Sequence, residues 1–368
     1  MNEELFNYNN SKTLSHSESD TAESIRNIIG DRRVLILSSP GATNRPFLNE
    51  LISSLRENNP VIVSNARSNP SVNDVKEVKK EIKNHSFDFL IAYGGGSVID
   101  LAKAIKYELL KEIPKKSIFK LIAIPSTVGT GAEVTQFATI WDFDKKIKVS
   151  VESPNILPEY YFLDFAAIKG IQIETALVTT LDAISHCFDS FWNKNATFDT
   201  MQAIHKALVY LSNALDYLFK KNDEDSYLKN AQLGSHWAGI AINTSKTSLA
   251  HSISYPLTLE MGISHGIACS FTLPNIFARY SDYLISFSKS LNINDKNLYQ
   301  KVISYIPIIY NFIKPNYETE IKLLLKSNMY MNKMLRNNRA NNFLFSISDF
   351  ELEEIILKSE QDLSNFFS

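Results

Sequence analysis

Four side chains in this sequence have the types and spacing to hold a divalent ion: Asp182, His186, His251 and His265. They stand in the segments LDAISH (181–186), AHSISYPL (250–257) and GISHG (262–266). One carboxylate with three neutral imidazoles is a mixed oxygen and nitrogen set, suited to a borderline ion such as Fe²⁺ or Zn²⁺. Asp182 and His186 are four positions apart, so a helix would put both on one face. Each residue alone also has a plain structural reading. A buried histidine is most often a satisfied core residue, and an acid–histidine pair at this spacing is an ordinary helix pair. If the four converge, the chain holds an ion able to polarise an oxygen. His16, His85, His205 and His236 have no such context and read as surface or core residues.

Two upstream segments suggest what that oxygen reacts with. Gly94, Gly95 and Gly96 end an apolar run, and Ser97 opens a helical stretch with Asp100 and Lys103 in its first two turns. Glycines let backbone approach a phosphate, and a helix N-terminus offers free N–H groups and a positive dipole end. The spacing is neither GxGxxG nor a Walker loop, and by itself it is also what a tight strand-to-helix turn needs. The second segment, IPSTVGTGAEVT (124–135), again runs an apolar strand into small and hydroxyl residues: Ser126, Thr127, Gly129, Thr130 and Gly131. Two such turns at the carboxyl ends of two strands in one open sheet both face its ligand crevice.

These elements need a scaffold, and 368 residues suffice for two domains with separate cores. From 21 to 165 short apolar runs alternate with helical stretches. Strands are expected at 34–39, 61–66, 87–95 and 119–127, and helices at 46–57, 73–84 and 97–110. This alternation predicts an α/β domain, a Rossmann-like open parallel sheet with helices on both faces. Beyond 165 the strand signals stop. Segments 172–193, 199–220 and 225–243 carry apolar residues at helical spacing, and 285–345 reads as helical too, so the second part is all-α. The expected division is residues 1–166 and 167–368. Residues 1–20 read as a polar arm with a short strand at Leu5–Tyr8. Hydrophobic residues make up 44 % and charged residues 21 %, and the net charge is −2, which favours neither nucleic acid nor an anionic membrane. The two cysteines, Cys187 and Cys269, make no disulfide framework and fit a reducing compartment. With no secretory signal and no apolar run of membrane-spanning length, the expected location is the cytoplasm.

GGGSVIDLAKAI, IPSTVGTGAEVTQFATIWD, the DAISH segment and two histidines fourteen positions apart together resemble the iron-containing (group III) alcohol dehydrogenases. The resemblance covers residues 30 to 280 and fades to helical character beyond 285. It implies the dehydroquinate synthase-like fold: a nucleotide-binding α/β domain and a C-terminal helical metal-binding domain. It assigns metal ligation to Asp182, His186, His251 and His265. Contacts to NADPH or NADH fall on Asn69, Gly95, Gly96, Ser97, Asp100, Ser126, Thr127, Thr130 and Lys148. It also suggests a homodimer. Within the family, INTSKTSLAHSISYPLT (242–258) and GISHGIACSFTLP (262–274) look most like the reductases of phosphonoacetaldehyde, which form 2-hydroxyethylphosphonate. The substrate expected is therefore a small phosphonate aldehyde.

Three departures from the family pattern matter. Many relatives have an acid at the end of the first strand, where it accepts the adenosine ribose hydroxyls. Here that position is Ser39, with Arg45 nearby, which tolerates a 2′-phosphate and favours NADPH. Many have a second histidine four residues after the first C-terminal ligand; here it is Tyr255, a candidate proton donor alongside water. The tail lacks the family's asparagine–proline ending. Lys246, among Asn243, Thr244, Ser245 and Thr247, replaces the small uncharged residues of many relatives and is a candidate holder of the substrate anion; by spacing alone it is equally a helix-surface lysine. Rival readings are the same chemistry on another small alcohol or aldehyde, a sugar-phosphate cyclase-like lyase, whose ligand set is a glutamate and two histidines, and a non-catalytic paralogue.

Overall fold

The computed structural model describes residues 12–13, 21–112, 119–145, 147–290, 296–314, 333–335 and 339–367. The chain divides into two compact units, Met1–Thr127 with Gly131–Ile171, and Val128–Thr130 with Gln172–Ser368.

The first unit is built on β1 (Lys12–Thr13), α1 (Thr21–Ile29), β2 (Val34–Ser38), α2 (Pro46–Ser54), β3 (Val61–Val63), α3 (Val72–Ile82), β4 (Phe89–Gly94), α4 (Gly96–Glu112), β5 (Lys120–Pro125), β6 (Phe137–Asp142), β7 (Ile147–Glu152), β8 (Tyr160–Tyr161) and α5 (Phe165–Ile168). Six strands form one parallel sheet in the order β1-β8-β5-β4-β2-β3. Every residue of β2 and β4 is buried, as expected of strands covered on both faces. On one face Ile25, Phe47, Leu51 and Tyr93 join Ile36, Ile91 and Ile122 in a common core. Helix starts follow local chemistry. Pro46 opens α2, and Ser71 and Asp74 close a reciprocal capping box on α3.

β3 lies on one side of β2 and β4 on the other, so the direction of sheet growth reverses between β2 and β4. In such sheets ligands bind beyond the carboxyl ends of the strands at this switch point. Ser39 follows β2 and Gly95–Ser97 follow β4 at that edge, and the register Gly94↔Pro125 brings Ser126 alongside.

The second unit contains α6 (Ile173–Phe191), α7 (Phe198–Lys221), α8 (Glu224–Ser245), α9 (Leu249–Met261), α10 (His265–Ser270), α11 (Leu273–Ser290), α12 (Lys296–Ile313) and α13 (Asp349–Phe367). α6 is its axis, with Leu177, Leu181, Ile184 and Phe188 fully buried. No described helix is long and apolar enough to cross a membrane.

The structure departs from the sequence reading in several places. The antiparallel hairpin β6–β7 was not anticipated. It leans on α4, where Asp100 Oδ2 accepts from Thr139 N at 2.9 Å. The strand expected to run to Ala66 ends at Val63, and the helix expected to reach Glu57 ends at Ser54, passing into a 3₁₀ turn, Arg56–Asn58, and then Asn59 at φ 45°. Helix was expected throughout 285–345, but Ala340–Asn342 is a 3₁₀ turn and Phe343 pairs with Asn193 in an isolated antiparallel bridge. The strand expected at Leu5–Tyr8 lies outside the described residues.

Candidate functional site

Three of the four expected ligands reach the fourth. On α6, Asp182 and His186 are one turn apart, with His186 Nε2 3.5 Å from Asp182 Oδ1. His251, on the first turn of α9, brings its Nε2 to 3.4 Å from the same oxygen, and His265, the first residue of α10, comes to 3.8 Å. The His186 and His251 rings stack with centroids 4.8 Å apart. Gly266 makes the approach of α10 possible. A Cβ there would stand 1.9 Å from the Val178 carbonyl oxygen of α6, so only glycine lets the two backbones close.

Charge and hydrogen bonding prepare this cluster for a cation. Burial would raise the Asp182 pKa, yet the charges of His186 and His265, together with His251, hold its carboxyl well below the usual carboxylate range. Burial disfavours the imidazolium of His251, but the adjoining Asp182 and Asp189 carboxylates raise its pKa to about 9. His251 is 2 % exposed, and its Nε2 is buried without a hydrogen-bond partner. A buried ring nitrogen beside a carboxylate, at a distance too long for a good hydrogen bond, suits a metal ligand. The donor set therefore suits Fe²⁺ or Zn²⁺ as the residue types suggested.

Asp189, which the sequence reading missed, organises the site. It is fully buried one turn beyond His186. Its Oδ2 accepts from the backbone N–H of Ser248 at 2.9 Å and of His251 at 3.0 Å, and from His251 Nδ1 at 2.8 Å. Its Oδ1 accepts from Ala250 N at 3.0 Å, Ser248 Oγ at 2.9 Å and Trp192 Nε1 at 3.0 Å. One carboxylate on α6 thus caps the N-terminus of α9 and orients the imidazole that α9 carries. An ionised carboxylate only accepts, so His251 Nδ1 carries a proton toward Asp189, and a bound ion would replace the second proton of the ring at Nε2, the atom that faces Asp182. Burial opposes ionisation, but this set of donors holds the Asp189 pKa at about 2. The signal was present in the sequence: residues 182, 186 and 189 share one helical face.

Cys269, one turn after His265, is the second residue missed. Its thiol donates to Asp182 Oδ1 at 3.5 Å and lies 3.6 Å from Gly266 O. The donor atoms of Asp182, His251, His265 and Cys269 all lie within 4.8 Å of one another.

Of the residues expected to contact the nucleotide, Ser39, Gly95–Ser97, Ser126 and Thr127 follow the carboxyl ends of β2, β4 and β5. A Cβ on Gly94 would meet Val98 Cγ2 at 2.3 Å, and one on Gly95 would meet Thr127 Cγ2 at 3.0 Å, so the turn before α4 is closed by its own neighbours. Asn69, at φ 53°, donates its N–H to Ser97 Oγ at 3.2 Å, and Ser126 N donates to Gly94 O at 2.9 Å. Lys103 is buried and donates to Thr135 Oγ1 at 2.8 Å, to Phe137 O at 3.1 Å and to Ala132 O, binding the second turn to α4. Lys148 lies on β7 over the Trp141 ring at 5.9 Å. Ser39 makes no side-chain cap to the turn it opens. Arg45 donates to Ala167 O at 3.2 Å, so its guanidinium is engaged at α5. Thr130 belongs to the helical unit, where Gly129 abuts Thr179; a Cβ there would stand 2.2 Å from the Thr179 carbonyl oxygen.

Lys246 is not on a helix face. α8 ends at Ser245, and Lys246 follows at φ 65° and ψ 176°, a region side-chain-bearing residues rarely enter. Its carbonyl accepts from Asn193 Nδ2 at 3.1 Å, and the next carbonyl, of Thr247, accepts from Asn342 Nδ2 at 2.9 Å. Tyr255 stands half-buried on α9, four residues after His251 and so on the same face.

Comparison with known proteins agrees with this geometry. Residues 14–165 match the family described as iron-containing alcohol dehydrogenase, and residues 176–307 match the C-terminal family of the Fe-containing alcohol dehydrogenases. A phosphonoacetaldehyde reductase of Streptomyces viridochromogenes is 29 % identical over 267 residues, 68 % of this chain and 67 % of that protein. A lactaldehyde reductase of Escherichia coli is 31 % identical over 229 residues, 58 % of this chain and 59 % of that one. Among solved structures, a sulfoacetaldehyde reductase from Bifidobacterium kashiwanohense in complex with NAD⁺ superposes with a TM-score of 0.78 at 19 % identity, covering 95 % of this chain and 96 % of that one, which shows the fold alone. The chain belongs to the iron-containing alcohol dehydrogenase family and is an oxidoreductase.

Proposed function

We propose that this enzyme reduces phosphonoacetaldehyde to 2-hydroxyethylphosphonate. The observation that carries the chemistry is the convergence of His186, His251 and His265 on one oxygen of Asp182 at 3.4–3.8 Å. When bound, an Fe²⁺ or Zn²⁺ ion supplies Lewis acidity at the aldehyde oxygen and a reduced nicotinamide supplies the hydride. The chain's own part is positioning. Asp182, His186, His251 and His265 hold the ion, and Asp189 keeps His251 in the tautomer that can do so. Gly95, Gly96, Ser97, Ser126 and Thr127 cradle the coenzyme phosphates, Asn69 and Thr130 add contacts, and Asp100 and Lys148 support the cradle from α4 and β7. Tyr255 carries the proton that the product oxygen takes. Ser39 stands where an acid would repel a 2′-phosphate, so NADPH is accepted as well as NADH.

The substrate assignment is supported by the similarity to a phosphonoacetaldehyde reductase and by Lys246. A residue held at φ 65° by Asn193 costs about 1–3 kcal/mol of backbone strain, which is retained where it serves a site. Lys246 follows α8 directly and precedes the Asp189-capped start of α9, and its ammonium would hold the phosphonate. Replacing it with alanine tests this. A charge-assisted contact worth about 1.5–3 kcal/mol corresponds to roughly a 10–100-fold loss in kcat/KM on phosphonoacetaldehyde. Activity on an uncharged aldehyde should hold; equal losses on both would refute the phosphonate contact. The lactaldehyde reductase relative supports a second reading, an uncharged aldehyde substrate, which the same assay distinguishes.

A further inference from the structure

We propose that Cys269 is a fifth protein donor to the ion held by Asp182, His186, His251 and His265. The inference rests on the metal assignment above and extends it to a residue type that an oxygen and nitrogen site does not need. Two atoms bound to one ion at about 2.0–2.3 Å can be no more than about 4.5 Å apart. The Cys269 sulfur and the donor atoms of Asp182, His251 and His265 already lie within 4.8 Å of one another, so shifts of a few tenths of an ångström would let these four share one ion, with His186 Nε2 3.5 Å from the Asp182 oxygen they surround. Cys269 is fully buried, one turn after His265 on α10, and aims at the same Asp182 oxygen, at 3.5 Å, that the three imidazoles face. A second feature points to a ligand at this spot: His251 Nε2, 3.4 Å from that oxygen, is buried with no hydrogen-bond partner.

On coordination the S–H bond breaks, a sulfur–metal bond forms and the proton passes to the buffer. No electrons are transferred. A thiolate makes the set softer and shifts its preference toward Zn²⁺ relative to an Asp-and-three-His site. The competing role is a thiol that only donates to Asp182 and Gly266 O.

The test is to load the full-length metal-free protein with Co²⁺ under anaerobic conditions and record its spectrum. The expected result is a near-ultraviolet sulfur-to-cobalt charge-transfer band alongside the visible cobalt bands. Cys269→Ser should lose the former and keep the latter, and Cys187→Ala should keep both. Wild type should also release one more proton per Co²⁺ than Cys269→Ser. Visible bands without the sulfur band in wild type would overturn the inference while leaving the metal site standing, and this outcome needs no variant to fold. A sulfur band surviving in Cys269→Ser would also overturn it. No cobalt uptake at all would remove the metal reading itself.

Discussion

Replacing Asp189 with asparagine keeps the shape of the side chain and removes its charge and one acceptor. The two carboxylate oxygens accept from six donors, three each. With the amide nitrogen at Oδ1, Trp192 Nε1 and Ala250 N lose their acceptor. With it at Oδ2, Ser248 N and His251 N do. Either way two fixed N–H groups are buried unsatisfied at about 1–3 kcal/mol each, so the variant should lose about 2–6 kcal/mol of stability in the helical unit. The Oδ2 orientation also lets His251 Nδ1 accept from the amide, which moves the imidazole proton to Nε2, the atom that should bind the ion. Metal affinity should then fall by roughly 10–100-fold, the usual effect of removing a partner of a ligating histidine. Urea unfolding of the metal-free protein reads the first effect and chelator competition reads the second. A variant with unchanged urea midpoint and unchanged metal affinity would refute the role given to Asp189.

Gly266→Ala places a methyl 1.9 Å from the Val178 carbonyl oxygen, so α10 must retreat from α6; thermal unfolding should show a loss of about 1–3 kcal/mol or more, with bound metal falling in parallel by elemental analysis. Burial pulls the Lys103 pKa down to about 8, against the charges of Asp100 and Glu133. Between there and its ordinary value near 10.5 the unfolded chain binds the extra proton, so this lysine makes stability rise with pH across that window, and the slope should flatten in Lys103→Met when the two are titrated by denaturant midpoint. Asn342→Ala removes the 2.9 Å bond to Thr247 O and should raise KM for a phosphonate aldehyde several-fold with little change in kcat, because it loosens the loop carrying Lys246 without touching the ion. An unchanged KM would separate the tail from the site.

The parallel sheet was legible because β2, β4 and β5 are continuous apolar runs, the pattern of strands covered on both faces. The hairpin β6–β7 was not, because half of it lies inside the GTGAEVTQFATIWD motif, whose glycines and hydroxyls leave only the short alternation of Ala138 and Ile140 as a strand signal. The helical register of Asp182 and His186 was readable from spacing alone, whereas the arrival of His251 and His265 depends on helix packing that only Gly266 permits. Asp189 was overlooked because an acid on a helix reads as solvated. Its burial follows from capping α9, a contact 59 to 62 residues away in sequence. Arg45 has a partner of the same long-range kind. One of its N–H groups donates to Ala167 O, a contact that the sequence alone did not show. The C-terminal segment read only as helical, with no sign of a role, yet Asn342 and Phe343 bind the Lys246 loop and the Trp192 ring.

The central claim is metal-dependent reduction of an anionic aldehyde, and the most direct measurement is nicotinamide oxidation by the iron-loaded protein on phosphonoacetaldehyde, run beside lactaldehyde and an unsubstituted aldehyde with both coenzymes. The expected result is the highest kcat/KM on phosphonoacetaldehyde, with 2-hydroxyethylphosphonate as product and activity lost on chelation or in His265→Ala. Turnover of the uncharged aldehydes with none of phosphonoacetaldehyde would contradict the substrate, and undiminished turnover by metal-free protein would contradict the mechanism.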